Sequence, residues 1–279
     1  MSETLIGAEA LLSHLHDPRW RLMDCRFTLA EPAQGRTLYA RGHLPEALYA
    51  HLDDDLSGPV TAASGRHPLP DPAAFAQRLA AWAIGDDTQV VAYDQGNGLY
   101  ASRLWWLLRA VGHRRVAVLD GGFAAWTARG LPLSEVPTAV PALRDVPVRP
   151  FAGWLASDEV EQALASDAIL LVDARAADRF AGRNETMDPV AGHVPGAINH
   201  PLADNLDGDG RFLPADELRR RWQPQLGERS PRELVSMCGS GVTACHNLLA
   251  LEIAGLPGGR LYPGSWSEWI RDPARPVAR

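Results

Sequence analysis

The sequence predicts an α/β protein of two homologous units in tandem, each a mostly parallel sheet with helices on both faces. Three observations carry that prediction. Words of the first half return in the second, in the same order, at a period of roughly 145 residues. Within each half, short apolar runs that read as buried strands alternate with helical stretches, as parallel sheets require. Between the halves, "LPLSEVPTAVPALRDVPVRP" (131–150) holds five prolines in twenty residues. Such a stretch can be neither a continuous helix nor a central strand, and it suits a semi-rigid extended linker. The expected boundaries are a first unit over 1–130, the linker over 131–150 and a second unit over 151–279.

The elements follow in chain order. "RLMDCR" (21–26) reads as a short buried strand ending in an acid, and "RGHLPEAL" (41–48) comes about twenty residues later. "QVVAYDQGNGLYASRLWWLLRAVG" (89–112) reads as a strand, a glycine-rich turn and an apolar helix, and "VAVLDGGFAAW" (116–126) as another strand and turn. The second half repeats these words as "LLVDAR" (170–175), "AGHVPGAIN" (191–199), "ELVSMCGSGVTACHNLLALEIAG" (233–255) and "GRLYPGSWSEW" (259–269). Asp24 precedes His43 by 19 residues and Asp173 precedes His193 by 20; Asp94 precedes Trp126 by 32 and Cys238 precedes Trp269 by 31. "AAWAIGDD" and "ALASD" fit helix ends ahead of strands. Trp105, Trp106, Trp266 and Trp269 are expected to fill the core and the domain interface, with Trp266 also a candidate wall of the cleft. The alignment sets Asp94 of "YDQGNG" where Cys238 of "MCGSGV" stands, so one copy of the turn carries a carboxylate and the other a thiol.

Composition narrows the function classes. With 279 residues, 46% apolar and 22% charged, the chain has the make-up of a folded globular protein. Its longest apolar runs, such as "AILLV" (168–172), are too short to cross a bilayer, and no membrane partner is expected. The first twenty residues lack the basic segment and long apolar core of a secretory signal. Three cysteines leave one unpaired under any disulfide scheme, so free thiols in a reducing cytoplasm are expected. No Cys/His cluster has zinc spacing, and neither a metal nor a cofactor is expected. The formal net charge of −7 argues against a nucleic-acid surface. All 27 basic residues are arginine, which removes Schiff-base and P-loop lysine chemistry. An anionic substrate must therefore be held by arginine, by backbone N–H groups, or by both.

The thiol turn is the candidate centre. A strand–turn–helix sets Cys238 at the carboxyl end of a strand and beside a helix N-terminus, the edge where open α/β sheets bind ligands. Amides curled around the sulfur and the helix dipole both favour thiolate over thiol. Gly239 and Gly241 let the backbone curl closely. Ser240 and Thr243 offer hydroxyls to the sulfur or to a bound anion. The competing reading of Cys238 is a buried inert thiol, which needs no glycines beside it. Cys245 fits a packed core thiol better than a resolving cysteine.

These residues resemble the tandem-domain rhodanese-type sulfurtransferases, over roughly residues 5 to 275. "CGSGVTA" resembles the active-site loop of the 3-mercaptopyruvate sulfurtransferase branch, and "VDAR", "GHVPGAIN" and "GSWSEW" match other family landmarks. Thiosulfate-preferring relatives usually carry a basic loop, C-R-K-G-V-T; the neutral Gly239-Ser240 pair favours mercaptopyruvate. The resemblance implies two tandem rhodanese-like domains, the first inactive and the second catalytic. It implies that the Cys238 thiolate takes sulfur from a small anionic donor, leaving a persulfide, and that a thiol, thioredoxin or cyanide accepts it. Cys238 and Ser240 are the implied catalytic residues, with Gly239, Gly241, Val242 and Thr243 as the binding loop.

The donor's carboxylate needs a cation, and Arg179 of "ADRFAG" matches the family's substrate-binding arginine. A second arginine is usual shortly afterwards; here "ETMDPVAGH" puts Asp188 at that position, and Arg183 is the expected substitute. His43 and His193 occupy matched "GH" words, which suits a structural duty, and His43 is also a candidate for a proton relay that includes Ser240. A C-x5-R phosphatase is disfavoured because Ala244 stands where the phosphate-clamping arginine would be. Thiosulfate:cyanide transfer and a non-enzymatic persulfide carrier or redox sensor are the remaining alternatives.

Overall fold

The computed structural model describes residues 4–139 and 145–279, so part of the expected linker, 140–144, lies outside the described residues. The chain divides into two compact units that are not contiguous in sequence. The first comprises residues up to Ser57 with Pro70–Ala152 and Gly208–Phe212; the second comprises Gly58–Leu69, Gly153–Asp207 and Leu213–Arg279. The two displaced segments overlap a repeated word, "SGRHPLP" (64–70) and "DGRFLP" (209–214).

In the first unit, strands β1 (Leu5–Ile6), β2 (Trp20–Asp24), β3 (Leu48–Tyr49), β4 (Gln89–Tyr93) and β5 (Val116–Leu119) form one sheet in the order β1-β5-β4-β2-β3. Every pairing is parallel, with β2 and β4 matched from Trp20 opposite Gln89 to Asp24 opposite Tyr93. Parallel pairs need crossovers, supplied here by helices α1 (Ala8–Leu12), α2 (Gln34–Arg41), α3 (Pro72–Ala81) and α4 (Ala101–Ala110). The last three residues of β2 and the last four of β4 are fully buried, as strands covered on both faces must be. Helix α4, "ASRLWWLLRA", buries its first eight residues, so no polar stripe faces water along that length. Asp71 caps α3 by accepting from the amides of Ala73 and Ala74, and Pro72 at the first helical position fits the φ required there. Helix α5 (Gly122–Thr127) closes the unit after β5.

The second unit repeats the plan. Strands β6 (Leu170–Asp173), β7 (Ile198–Asn199), β8 (Leu234–Met237) and β9 (Arg260–Leu261) form a parallel sheet in the order β7-β6-β8-β9. A parallel bridge from Trp154 to Leu261 extends it at the β9 edge, as β1 does in the first unit. Helices α6 (Ser157–Ala165), α7 (Ala177–Phe180), α8 (Ala215–Leu226), α9 (Thr243–Ile253) and α10 (Ser265–Trp269) accompany it. From β6 the chain moves to one side of the sheet and from β8 to the other. Right-handed crossovers running in opposite directions place helices on opposite faces, and they open a crevice at the carboxyl ends of the two central strands. Cys238 follows β8 directly, and Ala174 and Arg175 follow β6, so the thiol sits at that crevice. No helix among the described residues is long and apolar enough to cross a membrane.

The repeated words have a shared physical cause. Asp24 ends β2, and Arg26 folds back to bind its carboxylate at 2.6–3.0 Å and the Gly42 carbonyl at 2.7 Å. Arg175 does the same to Asp173 (2.7–3.2 Å) and to the Gly192 carbonyl (2.8 Å). Each guanidinium lies over an aromatic ring, Phe123 at 4.0 Å and Trp266 at 4.8 Å. Both pairs are essentially inaccessible to solvent. Removing one partner of such a buried pair costs about 3–5 kcal/mol, because the other charge is left stranded. Trp266 and Trp269 belong to the second core with Val235, Met237 and Tyr262; Trp126 belongs to the first with Val91, Tyr93 and Leu119. Trp105 and Trp106 are likewise buried.

Candidate functional site

Cys238 is 2% exposed, and its sulfur accepts the backbone N–H of Gly241 at 3.2 Å and of Ser240 at 3.4 Å. Val242 caps helix α9 and Thr243 is its first residue, so the positive dipole end of an eleven-residue helix begins four residues from the sulfur's own backbone position. This is the cradle the sequence predicts, with one revision. Gly241 has φ +78°, and a Cβ there would lie 2.4 Å from the Pro263 carbonyl oxygen, so only glycine fits. Gly239 has an ordinary backbone conformation; a Cβ there would crowd the Nη2 of Arg66, at 2.9 Å, and touch Arg179 Nη2 and Nη1 at 3.7 and 3.9 Å.

The turn is braced from α10. Ser265 Oγ accepts the Cys238 amide at 3.0 Å and donates to the Tyr262 carbonyl at 2.9 Å. The amides of Trp266 and Ser267 donate to the carbonyls of Cys238 and Gly239 at 3.0 and 2.9 Å. Ser265 has φ +52°, a left-handed conformation that costs a residue with a side chain on the order of 1–3 kcal/mol. The hydroxyl it brings to the nucleophile's amide offsets that strain.

Residues 58–69 complete the site within the second unit. His67, 5% exposed, sets Nδ1 2.7 Å from Ser240 Oγ. The amide of Arg66 donates to Ser267 Oγ at 3.1 Å, and that of Gly65 to Glu268 at 3.3 Å. The side chain of Arg66 pairs through Nη1 with Asp188. Asp188 also accepts from Arg179 Nη2 at 3.3 Å, so one buried carboxylate bridges two arginines. Arg179 grips Glu185 through Nε and Nη2 at 2.9–3.2 Å. Burial pushes the Glu185 carboxyl up, but hydrogen bonds from Arg179 and from the Met187 amide, with the nearby cation, hold it below its ordinary value. The nearest atoms to Gly239's missing side chain are the guanidinium nitrogens of Arg66 and Arg179.

Of the residues singled out in the sequence, Cys238, Gly239, Ser240, Gly241, Val242, Thr243 and Arg179 come together here. Arg183 does not join them: its side chain is exposed, and its amide only closes the turn onto the Asp178 carbonyl at 2.9 Å. His43 lies in the first unit, where its Nδ1 is 2.8 Å from the Tyr39 carbonyl and its ring stacks on Tyr39 at 4.0 Å. His193 repeats that arrangement on Phe180, with 2.9 Å to the carbonyl and 3.9 Å between rings. The matched "GH" histidines are thus fasteners common to both units, and the histidine on Ser240 is His67. Sequence reasoning missed both His67 and Arg66. Cys245 is buried on α9, with Sγ 3.3 Å from the Gly241 carbonyl, as a packed core thiol would be.

The aligned turn of the first unit is already filled. Asp94 is 1% exposed; one carboxylate oxygen accepts the amides of Gly96 and Gly98 at 3.0 Å, and the other those of Tyr100 and Ala101 at 2.8 and 3.1 Å. Burial raises its carboxyl above the ordinary value, against the pull of those four amides.

Comparison with known proteins gives the family. The family described as the rhodanese-like domain matches residues 7–129 and 156–272. A protein of Pseudomonas aeruginosa named "Probable 3-mercaptopyruvate sulfurtransferase" is 49% identical over 99% of this chain and 98% of its own length. The thiosulfate sulfurtransferase of Mus musculus is 34% identical over 95% of this chain and 89% of its own. Among solved structures, the 3-mercaptopyruvate sulfurtransferase of Leishmania major superposes with a TM-score of 0.86 at 33% identity, covering 96% of this chain and 74% of that one.

Proposed function

Because the chain belongs to the rhodanese-like family of sulfurtransferases, we propose that it moves sulfur from 3-mercaptopyruvate through a persulfide on Cys238 to a thiol, thioredoxin or cyanide, releasing pyruvate. The observation that carries the reading is the pair of amides donated to the Cys238 sulfur at the carboxyl end of a central strand. Hydrogen bonds to sulfur favour the thiolate, and the thiolate is the nucleophile.

In the first half-reaction the thiolate attacks the donor's sulfur. The new S–S bond forms as the donor's C–S bond breaks, and the electron pair leaves on the carbon as the pyruvate enolate, which takes a proton. Ser240, held by His67, is the group placed to pass that proton. In the second half-reaction the acceptor attacks the outer sulfur, the S–S bond breaks, and the Cys238 thiolate returns. The chemistry resides in the second unit; the first unit, with Asp94 in its turn, has no thiol to offer there. All three cysteines are free, which suits a reducing, cytoplasmic setting.

A thiosulfate donor is the second reading, favoured by the two guanidiniums beside Gly239, since a dianion gains from cations at the loop. The ratio of kcat/KM for 3-mercaptopyruvate over thiosulfate decides between them. It should exceed about tenfold, the discrimination expected when a site's polar groups match one donor's shape. A ratio below one would overturn the choice of donor.

A further inference from the structure

Helix α10 is five residues long, yet it holds two parts of the site at once. Its backbone braces the nucleophile's turn, through the amides of Trp266 and Ser267 on the carbonyls of Cys238 and Gly239. Its side chains hold the segment that carries His67. Ser267 Oγ accepts the Arg66 amide at 3.1 Å, and Glu268 Oε2 accepts the Gly65 amide at 3.3 Å, across 201 and 203 residues of chain. His67 comes next and reaches Ser240 at 2.7 Å. Thiol and histidine are therefore located from one short frame.

The surroundings aim the Glu268 carboxylate. Its Oε1 accepts the Ser157 hydroxyl at 2.5 Å, and Ser157 Oγ lies 2.7 Å from the Tyr262 hydroxyl, which must then be the donor to it. Ser157 and Tyr262 are both buried, and Oε2 is left for Gly65. The Ser267 hydroxyl donates to the Gly264 carbonyl at 3.4 Å, which leaves its lone pairs for the Arg66 amide. Two glycines permit the close approach. A Cβ on Gly264 would lie 2.3–2.5 Å from the Glu268 carboxyl group, and one on Gly65 would lie 2.6 Å from the Gly264 carbonyl oxygen.

Helix α5 of the first unit shows the frame without these side chains. It gives the same backbone amides to its own turn, Phe123 and Ala124 to Asp94 and Gln95. In "GGFAAW", however, Ala124 and Ala125 stand where "GSWSEW" has Ser267 and Glu268. The segment 208–212 is held there from the residue before the glycines, with Asp120 accepting the Phe212 amide at 3.1 Å. The hydroxyl and carboxylate on the helix accompany the copy that has the thiol.

We infer that Glu268, assisted by Ser267, is a positioning residue: it fixes the backbone at 65–66 so that His67 stays within hydrogen-bond reach of Ser240. Neither residue touches the sulfur donor or acceptor. The inference rests on the reading of Cys238 as the sulfur-accepting nucleophile, with Ser240 and His67 carrying the proton to the enolate.

The test uses the residue that the first unit already carries, in Glu268→Ala and Ser267→Ala, with Glu268→Gln beside them. Glu268→Ala should lower kcat for pyruvate release from 3-mercaptopyruvate by about tenfold or more, the scale of a displaced proton carrier. Transfer from a preformed Cys238 persulfide to cyanide should change by less than about twofold, since no carbon takes a proton in that step. Glu268→Gln keeps an oxygen for Gly65 and can turn an N–H to Ser157, so it should recover most of the rate. In a His67→Gln background, Glu268→Ala should slow pyruvate release by less than a further twofold or so, because the two changes act on one contact. Independently of activity, the amides of Gly65 and Arg66 should exchange hydrogen about tenfold faster in Glu268→Ala, with the turn at 238–243 unchanged. An unaltered kcat, full multiplication of the two effects in the double variant, or equal slowing of both half-reactions would overturn the inference. Should Glu268→Ala not fold, Ser267→Ala carries the same comparisons through the Arg66 amide. Absence of turnover by the unaltered protein would sink the functional reading instead. Hydrogen exchange would then decide alone, and unchanged exchange at 65–66 would overturn the positioning role.

Discussion

The turns at Cys238 and at Asp94 are one scaffold put to two uses. In both, the carbonyls of the key residue and its successor accept amides from the helix after the next strand: Phe123 and Ala124 at 2.8 and 3.0 Å, Trp266 and Ser267 at 3.0 and 2.9 Å. In both, a glycine in the turn has a strongly positive φ, +75° at Gly98 and +78° at Gly241. In both, the residue opening that helix has φ +52°, Gly122 in one and Ser265 in the other. What differs is the occupant. Asp94 fills its ring of amides with its own carboxylate and leaves nothing for a ligand. Cys238 offers its amides a sulfur that can carry another atom. The same backbone thus serves stability in one unit and chemistry in the other.

Substitution of the two occupants should separate these roles most sharply. Cys238→Ser is expected to lower turnover by about a thousandfold or more while leaving the unfolding midpoint nearly unchanged. Asp94→Ala should do the reverse. Four amides, two of them fully buried, would lose their acceptor, costing about 3 kcal/mol or more in urea unfolding, with turnover per folded molecule within about twofold. Equal loss of turnover from both would mean that the two turns do not divide the work.

The glycines come next. Gly98→Ala and Gly241→Ala both force a side chain into a left-handed conformation, at about 1–2 kcal/mol each. Only Gly241→Ala also pushes against the Pro263 carbonyl, and a shift of that size at the nucleophile should cost about a hundredfold in kcat/KM. The histidines give the smallest contrast. His67→Gln, which keeps a hydrogen bond to Ser240 but gives up proton transfer, should slow turnover by about tenfold or more. His43→Gln should leave turnover alone and cost about 1 kcal/mol of stability through its lost contact with Tyr39. A slower His43→Gln enzyme would restore that residue to the mechanism.

The sequence made visible what is written locally. Strand β8, the glycine turn and helix α9 are contiguous, so the sequence alone places Cys238, Ser240 and Gly241 together. The duplication added the Asp94 counterpart, because matched words need only counting. His67 and Arg66 were hidden because their partners are far along the chain: His67 meets Ser240 across 173 residues and Arg66 meets Asp188 across 122. One signal was present. "SGRHPLP" and "DGRFLP" are a fifth pair of matched words, and a histidine occurs in only one of them, the first-half word that joins the second unit. Arg183 was favoured by nearness to Arg179 in sequence, but the chain turns there and leaves its side chain in solvent. Ser265 was legible only in hindsight, as the place where "GG" of the first half becomes "GS".

The non-contiguity of the two units has a consequence for how the protein is made. A ribosome releases Arg66 and His67 long before Cys238 exists, so the segment carrying them must wait, unpaired with its final partners, through more than half of synthesis. Contacts of such long separation close late and slowly. Neither half of the gene encodes a finished unit: a protein started at residue 153 would carry the nucleophile but not the histidine on Ser240 or the arginine over Gly239. Each compact unit therefore takes a segment from the other half of the sequence, and neither half supplies all of its own unit.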